Sequence, residues 1–221
     1  MKHDDEERQL LSRLLTGAPR RSGLMGQMTS LFERVADFAS ILNAQVRMRM
    51  LADVPMSVRL RGRICIAGHG QITLGEGVSI TGDIVPVELL TRANGNIQIG
   101  DRTFINYGTS ISARSSVRIG RDCHLGHYTL VMDNPEHGIL NRFEPPPSGP
   151  VVIEDSVWIG SRVVILPGVR IGTRAVVGAG SVVTRSIPAG CVAAGNPARV
   201  LRYLSDANGA NYEPTPLPPF H

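Results

Sequence analysis

Lysine is almost missing from this 221-residue sequence: Lys2 is the only one, so the formal charge of +4 rests on arginines dispersed along the chain. Aromatic residues are also scarce, at 5% with a single tryptophan. Scattered arginine with few stacking side chains argues against nucleic-acid binding. The three cysteines, Cys65, Cys123 and Cys191, are widely spaced and form no CxxC pair. They read as reduced, buried thiols rather than a disulfide framework or a zinc site. Long apolar runs are lacking too. None approaches the roughly 20 residues that cross a bilayer, and the opening MKHDDEERQ is too acidic for a signal peptide, so a cytoplasmic location is expected. What remains, 42% hydrophobic and 19% charged, is the composition of one or two ordinary soluble domains.

Glycine is sparse in the first 55 residues, where the apolar spacing is helical. Leu10, Leu11, Leu14 and Leu15 form one run, and Leu31, Val35, Phe38, Ile41 and Leu42 form a second. Ser30, with Glu33 three residues on, reads as a capping box opening the second run. Two short helices are expected in a segment 1–57.

From about Arg61 to Leu201 the chain turns to Val, Ile, Gly and short polar residues, and it carries a period of six. Ile153, Ile159, Ile165, Ile171, Val177 and Val183 mark it, and the fourth residue after each is Val157, Val163, Val169, Ala175, Ser181 and Ile187. Ile99, Ile105, Ile111 and Val117 keep the same rule, followed by a two-residue slip to Ile119, Leu125 and Val131. Leu74 and Ile80, with Val78 and Ile84, carry a weaker version. A helix cannot hold this period, because at about 100° per residue six steps land about 240° around the axis and scatter the anchors. Short strands separated by bends can, with each anchor pointing inward. Gly160, Gly172 and Gly178, directly after their anchors, are expected to sit where the backbone bends. The product is a solenoid of parallel strands stacked coil on coil.

The period fails across 133–150, in DNPEHGILNRFEPPPSGP, whose five prolines cannot continue a ladder and must leave it as a loop. His137 lies there. Neutral imidazole suits removal of a hydroxyl proton near neutral pH, although a surface loop histidine without a task has the same sequence appearance. His124 and His127, three apart in CHLGHY, are solvated or interface histidines, or two ligands of a metal site that would need a third imidazole.

Anchor, Gly, two variable residues, small residue and variable residue is a unit that resembles the hexapeptide-repeat acyltransferases. The stretch VWIGSRVVILPGVRIGTRAVVGAGSVVTRSIPAGCVAAGNPARVLRYL is similar to the sugar O-acetyltransferase branch of that family, which includes galactoside, maltose and polysaccharide acetyltransferases. The resemblance covers about residues 60 to 203. It implies a left-handed parallel β-helix over 58–203, mainly β, with the helical segment 1–57 before it and a flexible tail over 204–221. It also implies acetyl-CoA as co-substrate, no metal, and a homotrimer with sites between subunits. DNPEH looks like the DxxxH form of the polysaccharide branch, which makes His137 the general base for direct attack of an acceptor hydroxyl on the thioester.

Under the same resemblance Asn106 in FINYGTSIS orients the acceptor, as a carboxamide that both donates and accepts. Asp133 binds the acceptor, orients His137 or simply begins the loop. Trp158 stands beside the reacting end, and the Ser161 backbone N–H is the oxyanion donor. Ser161, Ala179, Thr184 and Arg185 line the donor groove, while Arg199 of GNPAR and Arg202 face the donor phosphates. The γ-type carbonic anhydrases share the repeat but set their histidine pair differently from His124 and His127. An inactive scaffold, or an N-acetyltransferase of an amino sugar, is the alternative function. The acceptor stays open, because the N-terminal region and the segment 144–150 have no counterpart in the branch.

Overall fold

The computed structural model describes residues 24–48, 53–92, 94–135 and 149–205. Compact units Met1–Phe38 and Ala39–His221 divide the chain. The expected helix around Leu10–Leu15, the tail beyond residue 205 and His137 lie outside the described residues. One helix is described, α1 (Leu24–Met48). It begins six residues before Ser30, so the expected capping box is interior to the helix, continuous with the helix formers Leu24, Met25, Gln27 and Met28. Its C-terminal half docks through a face other than the apolar stripe. Ser40, Ala44 and Met48 are buried, whereas Leu42 and Val46 are exposed. Asn43 Nδ2 donates to the carbonyls of Leu60 and Gly62 at 3.0 and 2.9 Å, and Gln45 Nε2 to that of Pro55 at 3.0 Å.

The strands build a parallel β-solenoid of about five turns. After β1 (Arg59–Ala67), three faces recur. The first is formed by β2 (Gln71–Leu74), β4 (Asn96–Ile99), β7 (Ser116–Ile119), β10 (Val151–Ile153) and β13 (Arg170–Ile171). The second takes the start of β3 (Ser79–Thr91), then β5 (Phe104–Ile105), β8 (His124–Leu125), β11 (Trp158–Ile159), β14 (Val176–Val177) and β16 (Cys191–Gly195). The third takes the end of β3, then β6 (Ser110–Ala113), β9 (Leu130–Met132), β12 (Val164–Ile165) and β15 (Val182–Val183). A final strand, β17 (Ala198–Tyr203), folds back antiparallel on β16.

Each hexapeptide anchor is an interior rung. Ile99, Ile119, Ile153 and Ile171 are in register on the first face. Ile105, Leu125, Ile159 and Val177 stack on the second. Ile111, Val131, Ile165 and Val183 stack on the third. All of these are buried, as are the residues four positions on, Val157, Val163, Val169, Ala175, Ser181 and Ile187. Every hexapeptide therefore sends two side chains inward, and full burial of each branched aliphatic one stabilises the fold by about 1.5–3 kcal/mol.

Two details differ from the sequence reading. Ile84 is exposed, because the chain bulges where the pairing of β1 with β3 jumps from Gly62 against Gly82 to Ile64 against Val87, and Leu89 is the interior rung instead. The glycines after the anchors serve close approach between coils rather than a special backbone angle: a Cβ on Gly160 would lie 2.6 Å from the Ala179 nitrogen, and one on Gly172 would lie 2.4 Å from that of Ala189. The left-handed corner falls two residues later. Arg102, Asp122, Tyr128, Ser156, Arg162 and Arg174 all hold positive φ there.

At the corner between the first and second faces, carboxylates tie successive coils. Glu154 accepts from Arg170 at 2.7 Å and from the backbone and hydroxyl of Thr173 at 2.8 Å each. Burial acts to raise the Glu154 carboxyl, but the donors on Arg170 and Thr173 outweigh it and hold it below the ordinary glutamate value. The stabilisation from a depressed carboxyl is complete above its unfolded value, about 4.3, and is lost as pH falls through the folded one. Melting temperatures measured across acid pH are therefore expected to fall more steeply for the wild type than for Glu154→Gln. Parallel slopes would contradict this.

Candidate active site

The corner between the second and third faces carries the expected residues Asn106, Ser161 and Ala179 in one line, with Trp158 beside it. The chain crosses it at Asn106 and Tyr107, at Gly126 and His127, at Gly160 and Ser161, and at Gly178 and Ala179, one coil below another. Coils stack about 4.8 Å apart, so Asn106 and Ser161, on alternate coils, are about 10 Å apart along the corner. Beside the lower rungs lies a groove of about 320 Å³ lined by Gly126, Trp158, Gly160, Ser161, Val176, Val177, Gly178 and Ala179. Trp158 forms its outer wall and is 61% exposed. Gly178 sets the floor against the next coil, where a Cβ would come within 2.8 Å of the Ala194 Cβ.

The backbone donors are more open at this corner than at the previous one. At the corner between the first and second faces, the N–H groups of Glu76, Arg121 and Thr173 are taken by the carboxylates of Asp101, Asp155 and Glu154. At the groove corner, the equivalent N–H groups of His127, Ser161 and Ala179 donate to no acceptor among the described residues. A row of open amide donors along a groove of small residues suits an extended ligand with carbonyl groups. It also leaves the Ser161 N–H available to an oxyanion. This row was not legible in the sequence, because the acidic caps that fill it elsewhere come from adjacent coils.

The structure surrounds Ser161 with a cluster that the sequence did not single out. Its Oγ is 3.0 Å from His127 Nδ1. The His127 ring stacks on Tyr107, with centroids 5.0 Å apart and planes at 12°, and meets Tyr128 edge-on at 5.7 Å. His124 stands outward on the second face, in register with Trp158. Among the described residues no three His, Cys, Asp or Glu side chains come together as a metal site. Cys123 and Cys191 are buried and Cys65 is exposed, all three as free thiols. Burial pushes the Cys123 thiol up to about 11 and raises that of Cys191, which keeps both protonated at neutral pH.

Of the other expected residues, Asn106 shares this corner and the rest sit elsewhere. Asn106 Oδ1 accepts from the Tyr107 N–H at 2.8 Å, leaving its Nδ2 hydrogens to offer a ligand. Asp133 is fully buried, and its carboxylate accepts from the backbone N–H groups of Arg114, Ser115 and Ser116 at 2.8, 2.6 and 2.7 Å. Those residues are the two-residue slip in the repeat, a widened bend whose amides Asp133 satisfies. The loop at 133–150 leaves the third corner, where the Gly149 N–H donates to the Asp133 carbonyl at 2.9 Å. Thr184 and Arg185 are exposed at that same third corner, following β15. Arg199 and Arg202 are exposed on β17, where Arg199 pairs with Ala194 beside the lower end of the groove and Arg202 with Val192.

Residues 150–185 match the family model described as bacterial transferase hexapeptide (six repeats). The chain is 42% identical to galactoside O-acetyltransferase of Escherichia coli (strain K12) over 119 residues, which is 53% of this chain and 59% of that protein. It is 42% identical over 94 residues to the 2,3,4,5-tetrahydropyridine-2,6-dicarboxylate N-acetyltransferase of Staphylococcus aureus (strain JH9), covering 42% of this chain and 36% of that one. The chain thus spans less than two thirds of the length of these curated relatives. A hexapeptide-repeat-containing acetyltransferase of Vibrio cholerae O1 biovar eltor, solved with acetyl coenzyme A, is 32% identical, with 68% of this chain and 75% of that chain covered and a TM-score of 0.49.

Proposed function

We propose that this chain is a hexapeptide-repeat acyltransferase that transfers an acetyl group from acetyl-CoA to a hydroxyl of a sugar or glycan; the match of residues 150–185 to the transferase hexapeptide model supports the family. The observation that carries the reading is the second-corner groove, with its small residues and open amide donors, lined mostly from within residues 150–185 that match the transferase hexapeptide model. The pantetheine arm lies along Ser161 and Ala179, and Arg199 and Arg202 receive the donor phosphates. Asn106 and Trp158 flank the acceptor above. His137 takes the hydroxyl proton, the oxygen attacks the thioester carbonyl directly, and the Ser161 N–H stabilises the resulting oxyanion, worth about 3 kcal/mol. The coenzyme A thiolate leaves and is protonated, and no acyl-enzyme forms.

The base and the groove come from different chains in this reading. Asp133 and Gly149, which flank the segment that carries His137, lie at the third corner with Thr184 and Arg185, and the groove belongs to the second. A cyclic trimer that sets the third corner of one chain against the second corner of its neighbour brings His137, Thr184 and Arg185 of one chain to the groove of the next, three times over. No described helix is long and apolar enough to cross a membrane; dependence on acetyl-CoA is what supports a cytoplasmic site of action.

Transfer to an amine is the second reading, supported by the likeness to the N-acetyltransferase of S. aureus. Thiol release from acetyl-CoA, measured with methyl β-D-galactopyranoside and with glucosamine in parallel and followed by treatment of the product with hydroxylamine, which cleaves esters and spares amides, separates the two. Ester product from the galactoside supports the proposal. Amide product alone replaces it with the second reading, and calorimetry showing no acetyl-CoA binding rejects both.

A further inference from the structure

Resting on that acetyl-transfer reading, we propose that His127 is a positioning residue of the site, acting through the Ser161 hydroxyl. Three contacts fix the imidazole. Tyr107 on the coil above stacks on its face, Tyr128 beside it meets its edge, and Ser161 on the coil below lies 3.0 Å from Nδ1. The backbone holds the same place, since the Arg162 N–H donates to the His127 carbonyl at 2.8 Å and the Arg162 guanidinium lies 5.9 Å over the Tyr128 ring. The stack holds the plane of the ring, and the hydrogen bond to Ser161 selects the Nδ1 edge to face it.

The consequence is control of where the Ser161 proton points. In the tautomer with hydrogen on Nδ1, the imidazole donates and the Ser161 oxygen accepts, so the hydroxyl hydrogen is free to turn into the groove that Ser161 lines. There it adds a second donor beside the Ser161 backbone N–H, at the place where the thioester oxyanion develops. The fold itself does not need this bond. Ala179 occupies the equivalent corner position one coil below with no side-chain hydrogen bond possible, and the coils stack there in the same register. A paired histidine and serine on this corner is explained by a ligand in the groove, not by the ladder.

The test uses the full chain and four variants: His127→Phe, which keeps an aromatic ring for the stack, His127→Asn, which returns a carboxamide donor within reach of Ser161, Ser161→Ala, and the Phe/Ala double. Thiol release from acetyl-CoA is measured with methyl β-D-galactopyranoside and with water alone as acceptor, and acetyl-CoA affinity separately by calorimetry. His127→Phe and Ser161→Ala are each expected to lower kcat about tenfold, the size of one lost hydrogen bond, with acetyl-CoA affinity within about twofold. The double is expected to be no slower than the slower single, and His127→Asn to recover most of the rate. Wild-type turnover in His127→Phe, or losses that multiply in the double, overturns the positioning role and leaves acetyl transfer standing. Failure of the wild type itself to bind acetyl-CoA overturns acetyl transfer, and the positioning role with it.

Discussion

Replacing Asp133 by alanine is expected to destabilise the protein by about 3–5 kcal/mol, because three backbone N–H groups lose their buried carboxylate acceptor at one stroke. Arg114, Ser115 and Ser116 turn the chain from the third face to the first with two residues more than a plain hexapeptide allows. Their amides point into the interior of that bend, where the Asp133 carboxylate lies with no exposure to solvent. No water replaces it there without opening the coil. Asp133→Asn keeps one carbonyl acceptor but turns a donor toward the other amides, so an intermediate loss is expected. Chemical denaturation of the two variants measures both effects, and a loss under about 1 kcal/mol in Asp133→Ala would show that the bend holds without its cap. The same variants bear on the acceptor role expected for Asp133. At a temperature where Asp133→Ala stays folded, acetyl-CoA affinity measured by calorimetry is expected to be unchanged, since the carboxylate is turned away from the groove.

Why the repeat was readable and its corners were not follows from what each depends on. An interior anchor such as Ile159 needs only a branched apolar side chain at a fixed interval, and the interval is written in the chain. The slip between Val117 and Ile119 was equally visible, but its meaning was not, because the residue that makes it possible is Asp133, seventeen to nineteen positions away and one coil below. His127 was missed for the same reason. Read alone in CHLGHY it is one of two histidines; its partners, Tyr107 and Ser161, belong to neighbouring coils and reach it only through stacking. Glycine after the anchor was recognised as required but for the wrong cause, since a Cβ at Gly160 is forbidden by the next coil rather than by the bend. In α1 the apolar stripe of Leu42 and Val46 gave the helix but not its docked face, which is set by the small Ala44 and by the carboxamides of Asn43 and Gln45 on carbonyls of β1 and the turn before it.

His137→Ala is expected to slow acetyl transfer by at least about 10²-fold while acetyl-CoA still binds, because it deletes the proton acceptor and nothing in the donor groove. With a histidine base the wild-type kcat/KM rises with pH as the imidazole loses its proton, near an ordinary value of about 6.5, and that rise is expected to be missing in the variant. A near-wild-type rate would exclude His137 as the base and turn attention to a group at the groove corner itself. The placement of base and groove on separate corners gives a stronger test. Ala179→Trp fills the groove at an exposed position and leaves the loop intact, so it too is expected to be inactive. If each site takes His137 from one chain and Ser161 and Ala179 from the next, refolding the two inactive variants together restores sites that combine an intact loop with an intact groove. At equal amounts and random assembly about a quarter of the sites recover. Were loop and groove to meet within one chain, no site in the mixture would contain both, and the mixture would stay as inactive as its parts.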